Sequence, residues 1–151
     1  MNLLKIISFI FIPAIFTACD NNDIDSAEFF KIEFGSECGW CGGQENIIVT
    51  ESNINYLRNI PCGDDQGTIQ KNRKINSDEW NEIISSFDYS LFKTLNYSEC
   101  NVCADGCDEI IKISESDKTH ELRFSPSDEV EGMQNLREIL TVFLEEMRET
   151  D

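Results

Sequence analysis

Six cysteines, Cys38, Cys41, Cys62, Cys100, Cys103 and Cys107, hold most of the chemistry this 151-residue chain could perform. Four of them form two CxxC pairs, 38/41 and 100/103. Three chemistries fit such a set. An even number of cysteines in an exported domain predicts a disulfide framework. A CxxC pair is also the pattern of a thiol–disulfide oxidoreductase, which would use Cys38 and Cys41. Two CxxC pairs together make a four-thiolate set of the kind zinc favours. The surroundings favour the first. A redox thiolate needs a helix N-terminus or another positive field, whereas Gly42-Gly43 and a β-branched run follow Cys41. The 58 residues between the two pairs are many for a zinc ribbon, and thiols oxidise in an exporting chain before metal arrives. Neither CxxC is followed by His, which excludes c-type haem attachment. No cofactor is expected.

Other groups carry weaker signals. His120 is the only histidine; it alternates with Leu122 and Phe124 and reads as a satisfied sheet-face residue rather than a general base. There is no GxSxG, P-loop or dinucleotide fingerprint, so no catalytic residue is assigned. Asp64-Asp65 and Asp105-Gly106-Cys107-Asp108-Glu109 contain calcium-type ligands without EF-hand spacing, and read as solvated turns. Trp40, between two cysteines, fits either an exposed anchor for a partner or a ring packed on a disulfide. The second is the expectation.

The charge narrows the partners. Asp and Glu number 29 against 12 Lys and Arg, a formal net charge of −17. Nucleic-acid surfaces need a basic face to displace counterions, so no nucleic acid is expected. With 40% hydrophobic and 10% aromatic residues the chain can bury a core, and its length suits one domain.

The N-terminus reads as an export signal. Lys5 precedes the apolar stretch Ile6–Phe16, which is too short for a bilayer span. Phe16-Thr17-Ala18-Cys19 resembles the lipobox of bacterial lipoproteins, with Phe16 where Leu, Val or Ile is usual. The resemblance implies cleavage after residue 18 and lipidation of Cys19 by diacylglycerol and an acyl chain such as palmitate. It implies a signal peptide at 1–18, a lipidated cysteine with an acidic tether at 19–27, and one domain at 28–151. The mature chain then carries 11 − 29 = −18 charges, so lipid rather than charge would hold it on an anionic membrane. An acidic run after the lipidated cysteine resembles an outer-membrane surface signal in some lineages. Asp20 directly after it resembles inner-membrane retention in others. The expected location is the bacterial cell envelope, with the outer membrane favoured. The partners expected are the membrane itself and a protein of the envelope.

The elements that must position the cysteines follow from periodicity. Residues 28–34, 46–50, 54–58, 107–114 and 118–125 read as strands, with Gly35 and Ser36 ending the first. Residues 60–74 read as a loop containing the only basic cluster, Lys71, Arg73 and Lys74. Asn76, with Glu79 three residues on, opens a helix carrying Trp80, Ile83, Ile84 and Phe87, and a short helical turn follows over Tyr89 to Leu95. From about Val130, apolar residues recur at helical spacing to Met147. The fold expected is α+β: a mainly antiparallel sheet of about five strands, two helices on one face, stabilised by disulfides. If residues 46–50 and 54–58 pair about Ser52, position 41 lies close to 62 or 63, so Cys41–Cys62 is the best single pairing. The remaining four cysteines could then join as Cys38–Cys103 and Cys100–Cys107. The layout over 28–148 also resembles small bacterial lipoprotein domains with a Cys pair in the first inter-strand loop, here Cys38-Gly39-Trp40-Cys41. A Pro and Tyr expected after the second Cys are missing, and the resemblance implies no activity. The function expected is that of a non-enzymatic, membrane-anchored interaction or structural domain. A thiol–disulfide enzyme and a zinc-binding domain are the alternatives.

Overall fold

The computed structural model describes residues 30–150. The expected signal peptide, Cys19, the tether and residues 28–29 lie outside the described residues. The described residues form six strands, five of them from apolar runs: β1 (Phe30–Cys38), β2 (Gly43–Val49), β3 (Asn53–Ile60), β4 (Gly67–Lys74), β5 (Cys107–Glu115) and β6 (Lys118–Phe124). They form one antiparallel sheet in the order β4-β3-β2-β1-β5-β6. Between β4 and β5 lie α1 (Ser77–Ser85), α2 (Tyr89–Phe92) and a 3-10 turn (Asn101–Ala104). α3 (Gln134–Glu149) follows β6. The class is α+β as expected, but with six strands rather than five and three α-helices rather than two.

The additional strand is β4, in the stretch read as a loop. Its core-side residues Ile69, Lys71 and Arg73 stand opposite Arg58, Tyr56 and Ile54 of β3. Lys71 lies over the Tyr56 ring and Arg73 over the Phe143 ring. Long aliphatic stems and cation–π contacts thus do what apolar side chains do elsewhere, which hides the strand from a hydrophobic pattern. β1 also continues through Gly35 and Ser36, where an end was expected. Glycine is needed mid-strand because a Cβ on Gly35 would stand 2.1 Å from the Glu45 carbonyl oxygen and 2.6 Å from Asn46 Cβ.

One sheet face is apolar. Ile32 and Phe34 of β1, Ile47 and Val49 of β2, Ile111 and Ile113 of β5, and Leu122 and Phe124 of β6 are all buried there. They share one core with Ile83 of α1, Phe92 of α2 and Leu136, Leu140, Phe143 and Met147 of α3. The opposite face carries no described helix. Across β2, β3 and β4 it bears Gln44, Asn46, Asn55, Asn59, Gln70 and Asn72.

Local chemistry sets the helices. The Asn76 side chain accepts from the Asp78 and Glu79 N–H groups, and Glu79 accepts from the Asn76 N–H, a complete capping box at the expected place. α3 is held by an arginine near each end. Arg137 donates to Glu109 of β5 at 2.8 Å, and Arg148 to Glu45 of β2 at 2.9 and 2.6 Å. Their offset of 11 positions is about three helical turns, so both point to the sheet. Phe30, Trp80, Phe87, Tyr89, Phe92 and His120 form an aromatic cluster where β1 begins.

Glu45 also accepts from the buried Tyr56 hydroxyl at 2.5 Å. Burial first, and this bond second, push the Tyr56 pKa from 10.0 up to about 12. Above pH 10 an unfolded tyrosine loses its proton while folded Tyr56 keeps it. The stabilisation is complete below pH 10 and is lost as pH rises towards about 12. In urea titrations, the wild-type midpoint should fall more steeply over that window than the midpoint of Tyr56→Phe. Parallel slopes would remove this linkage.

Candidate functional site

In an antiparallel sheet the strand that runs out and the strand that returns share an end. β1 and β3 finish, and β2, β4 and β5 begin, at the same end of this sheet. All three described disulfides are there. Cys38 bonds Cys107, its directly opposite partner in the β1–β5 register, with Cα atoms 4.0 Å apart. Cys41 bonds Cys62 with Cα atoms 5.3 Å apart, joining the β1–β2 turn to the end of β3. Cys100 bonds Cys103 across three residues, within the segment of the 3-10 turn.

The pairing at 41 and 62 is the one the hairpin arithmetic gave; its register pairs Val49 with Ile54 and Gln44 with Asn59, and continues to 41 and 62. The other two bonds differ from Cys38–Cys103 and Cys100–Cys107. β5 begins at Cys107, so Cys107 rather than Cys103 stands opposite Cys38, and Cys103 is left with its near neighbour. Cys38 and Cys41 therefore do not bond each other; the CxxC closed on itself is 100/103. With all six sulfurs in disulfides, the two CxxC pairs present no thiolate set to zinc. Among the described residues no group of three or more His, Cys, Asp or Glu converges as a metal site would. His120 is half-buried, with Nε2 2.9 Å from the Leu95 carbonyl oxygen and its ring edge-on to Phe92, as a satisfied histidine should be.

Two turns pack closely beneath this end. The Gly39 N–H donates to the Gly106 carbonyl at 2.9 Å. A Cβ on Gly39 would lie 2.6 Å from the Val102 carbonyl oxygen, so only glycine lets the turns meet. Asp108, fully buried, holds the second turn. It accepts from the Asn101 N–H at 2.8 Å and from Arg123 Nη1 at 3.1 Å, and Arg123 Nη2 donates to Glu37 at 2.8 Å. Burial opposes ionisation of Asp108, but the Asn101 N–H and Arg123 outweigh it and lower its pKa. The sequence reading placed Asp108 in a solvated turn. Its burial depends on Arg123, fifteen residues away, and no local pattern marks that pair.

Trp40 corrects another expectation. Its ring does not pack on a disulfide: the residue is 83% exposed, the most exposed of the large apolar residues described. It also sits at φ 53°, the left-handed region that costs a bulky residue roughly 1–2 kcal/mol. The turn around it is fixed by Cys38–Cys107 on one side and Cys41–Cys62 on the other. The three loops of this end, 39–42, 61–66 and 99–106, carry Asp64, Asp65, Glu99 and Asp105, all exposed, and no Lys or Arg. What results is a rigid, acidic surface tipped by one tryptophan. Neither a protein-family model nor a curated protein matches the chain.

Two substitutions separate scaffold from surface. Trp40→Gly should raise stability, by up to about 1 kcal/mol, since glycine relieves the positive φ and Trp40 packs on little. Asp108→Ala should cost about 3 kcal/mol at neutral pH, because it strips a buried charge partner from Arg123. The Asp108 pKa is depressed, so its contribution is present above the ordinary Asp value and is lost as pH falls through the folded one. Urea unfolding at neutral and acid pH should show the gap between wild type and Asp108→Ala closing in acid.

Proposed function

We propose that this protein is a lipid-anchored, non-enzymatic domain of the bacterial cell envelope that binds a protein partner through its disulfide-bearing end. The observation that carries the reading is Trp40, fully presented on a braced turn in a conformation that costs stability. Large exposed aromatics on rigid elements are the residues that anchor interfaces, because little side-chain entropy is lost on binding. The lipobox-like Phe16-Thr17-Ala18-Cys19 supports the anchor, and six paired cysteines suit an oxidising compartment.

The topology supports an outward orientation. Cys19 precedes β1 by 11 residues, and the chain enters the sheet at Phe30. The nine residues of β1 then run roughly 30 Å to Cys38. Trp40 therefore lies at the far end of the strand whose near end receives the tether. The four loop carboxylates around it favour a cationic partner surface, whose Arg or Lys side chains could also stack on the indole.

Two experiments test the two halves of the reading. The exported full chain should partition into the detergent phase on Triton X-114 separation and yield an acylated peptide beginning at Cys19, and Cys19→Ser should do neither. A photoreactive benzoylphenylalanine replacing Trp40 in the native envelope should give a discrete adduct. The same group replacing Val142, exposed on α3, should not. No adduct from position 40, or the same one from both positions, would remove the binding surface while leaving the anchor standing.

A further inference from the structure

We infer that Cys100–Cys103 is a reversible thiol–disulfide exchange site, opened by small thiols or dithiol proteins while the rest of the fold stays closed. Three observations carry this. The first is ring size. The three bonds span 69, 21 and 3 residues. A cross-link stabilises the fold through the chain entropy it removes from the unfolded state, and that rises with loop length. By this measure opening Cys100–Cys103 weakens the folding equilibrium roughly 10–20-fold less than opening Cys41–Cys62, and roughly 100-fold less than opening Cys38–Cys107, so the fold stays closed when this bond opens.

The second observation is access. Cys100 and Cys103 are both exposed, as are Cys41 and Cys62, whereas Cys38 and Cys107 are half-buried. An attacking thiolate must approach along the sulfur–sulfur axis, and exposed bonds are the labile ones.

The third is that the turn is held by hydrogen bonds as well as by the disulfide. Cys103 N–H donates to the Cys100 carbonyl at 3.1 Å and Gly106 N–H to the Asn101 carbonyl at 2.8 Å. Asn101 N–H donates to buried Asp108, and Glu99 N–H to the Arg123 carbonyl of β6 at 3.0 Å. On the other side Cys107 is fixed to Cys38. Both flanks of the CxxC are tied to the sheet independently of its own sulfurs. Opening then exposes two thiols at little structural cost, and closing regenerates the same turn.

The step balances as a two-electron exchange. A thiolate, RS⁻, attacks one sulfur of the pair, the other leaves as a thiolate and takes a proton, and a mixed disulfide forms. A second RS⁻ attacks the external sulfur of that mixed disulfide, releasing RSSR and the second cysteine thiolate, which is protonated in turn. The protein disulfide is reduced to a dithiol and two RSH are oxidised to RSSR.

The test uses the exported full chain in detergent, equilibrated in glutathione buffers of graded [GSH]²/[GSSG], quenched by alkylation and read bond by bond by peptide mass spectrometry. Cys100 and Cys103 should become alkylated at a lower ratio than either of the other two pairs, with amide exchange of the six strands unchanged. A Cys100→Ser/Cys103→Ser variant should fold, keep the other two bonds, and lose only that early step. The proposal is overturned if the three bonds open together, if Cys100–Cys103 opens after either of the others, or if its opening releases strand protection.

Discussion

The fold depends on one joint, the antiparallel pairing of β1 with β5. Every other strand pair in the sheet is a hairpin between sequence neighbours. The β1–β5 ladder alone joins the two halves, pairing residues from Cys38 and Cys107 to Phe30 and Glu115. Closing so long a loop carries an entropic cost that grows only with the logarithm of its length. Opposing it are the buried pairs Ile32–Ile113 and Phe34–Ile111, the Glu33–Lys112 ion pair on the other face, and the covalent bond at the last register position. Helix α3 can bridge Glu109 and Glu45 only because this joint sets β5 and β2 on either side of β1.

The two ends of the sheet are sealed by different physics. Where β1 begins, helices α1 and α2 bring enough aromatic surface to close the core around Phe30 and Phe92. Where β1 ends, short turns rich in Gly, Asn and Asp have little apolar surface to bury, and the inter-strand bonds Cys38–Cys107 and Cys41–Cys62 hold them instead. Covalent closure lets that end remain polar, exposed and ordered at once. It also permits a tryptophan with almost no packing of its own to be held in one place. An apolar core could not present such a residue without burying it.

Much of the architecture is legible in the residues because it is local. The alternation of His120, Leu122 and Phe124 gives β6, Asn76 and Glu79 give the start of α1, and the hairpin sum gives Cys41–Cys62. The parts that escape are non-local or use polar groups in apolar roles. β4 hides because Lys71 and Arg73 cover rings with their stems. The Cys38–Cys107 bond requires the β1–β5 register, which no neighbouring residues encode. Asp108 reads as a turn residue because the arginine that makes its burial tolerable arrives from another strand. Trp40 is exposed at a positive-φ position between two disulfide-bonded cysteines, and its neighbours in sequence do not mark that torsion.

The distribution of charge follows from the same architecture. Lys31, Arg73, Lys112, Arg123, Arg137 and Arg148 are half of the chain's twelve cations, and all are drawn into ion pairs on the sheet and along α3. Carboxylates that meet them, such as Glu33, Glu45 and Asp108, are structural, and each is held below its ordinary pKa despite the burial that opposes ionisation. Spending the cations on scaffold leaves the excess of acid on the loops, most clearly at the end bearing Trp40. The negative potential there is a consequence of how the sheet and α3 are held together. On the proposed binding reading, a partner for that end must bring its own positive charge, and salt should weaken its approach more than its final packing against the indole.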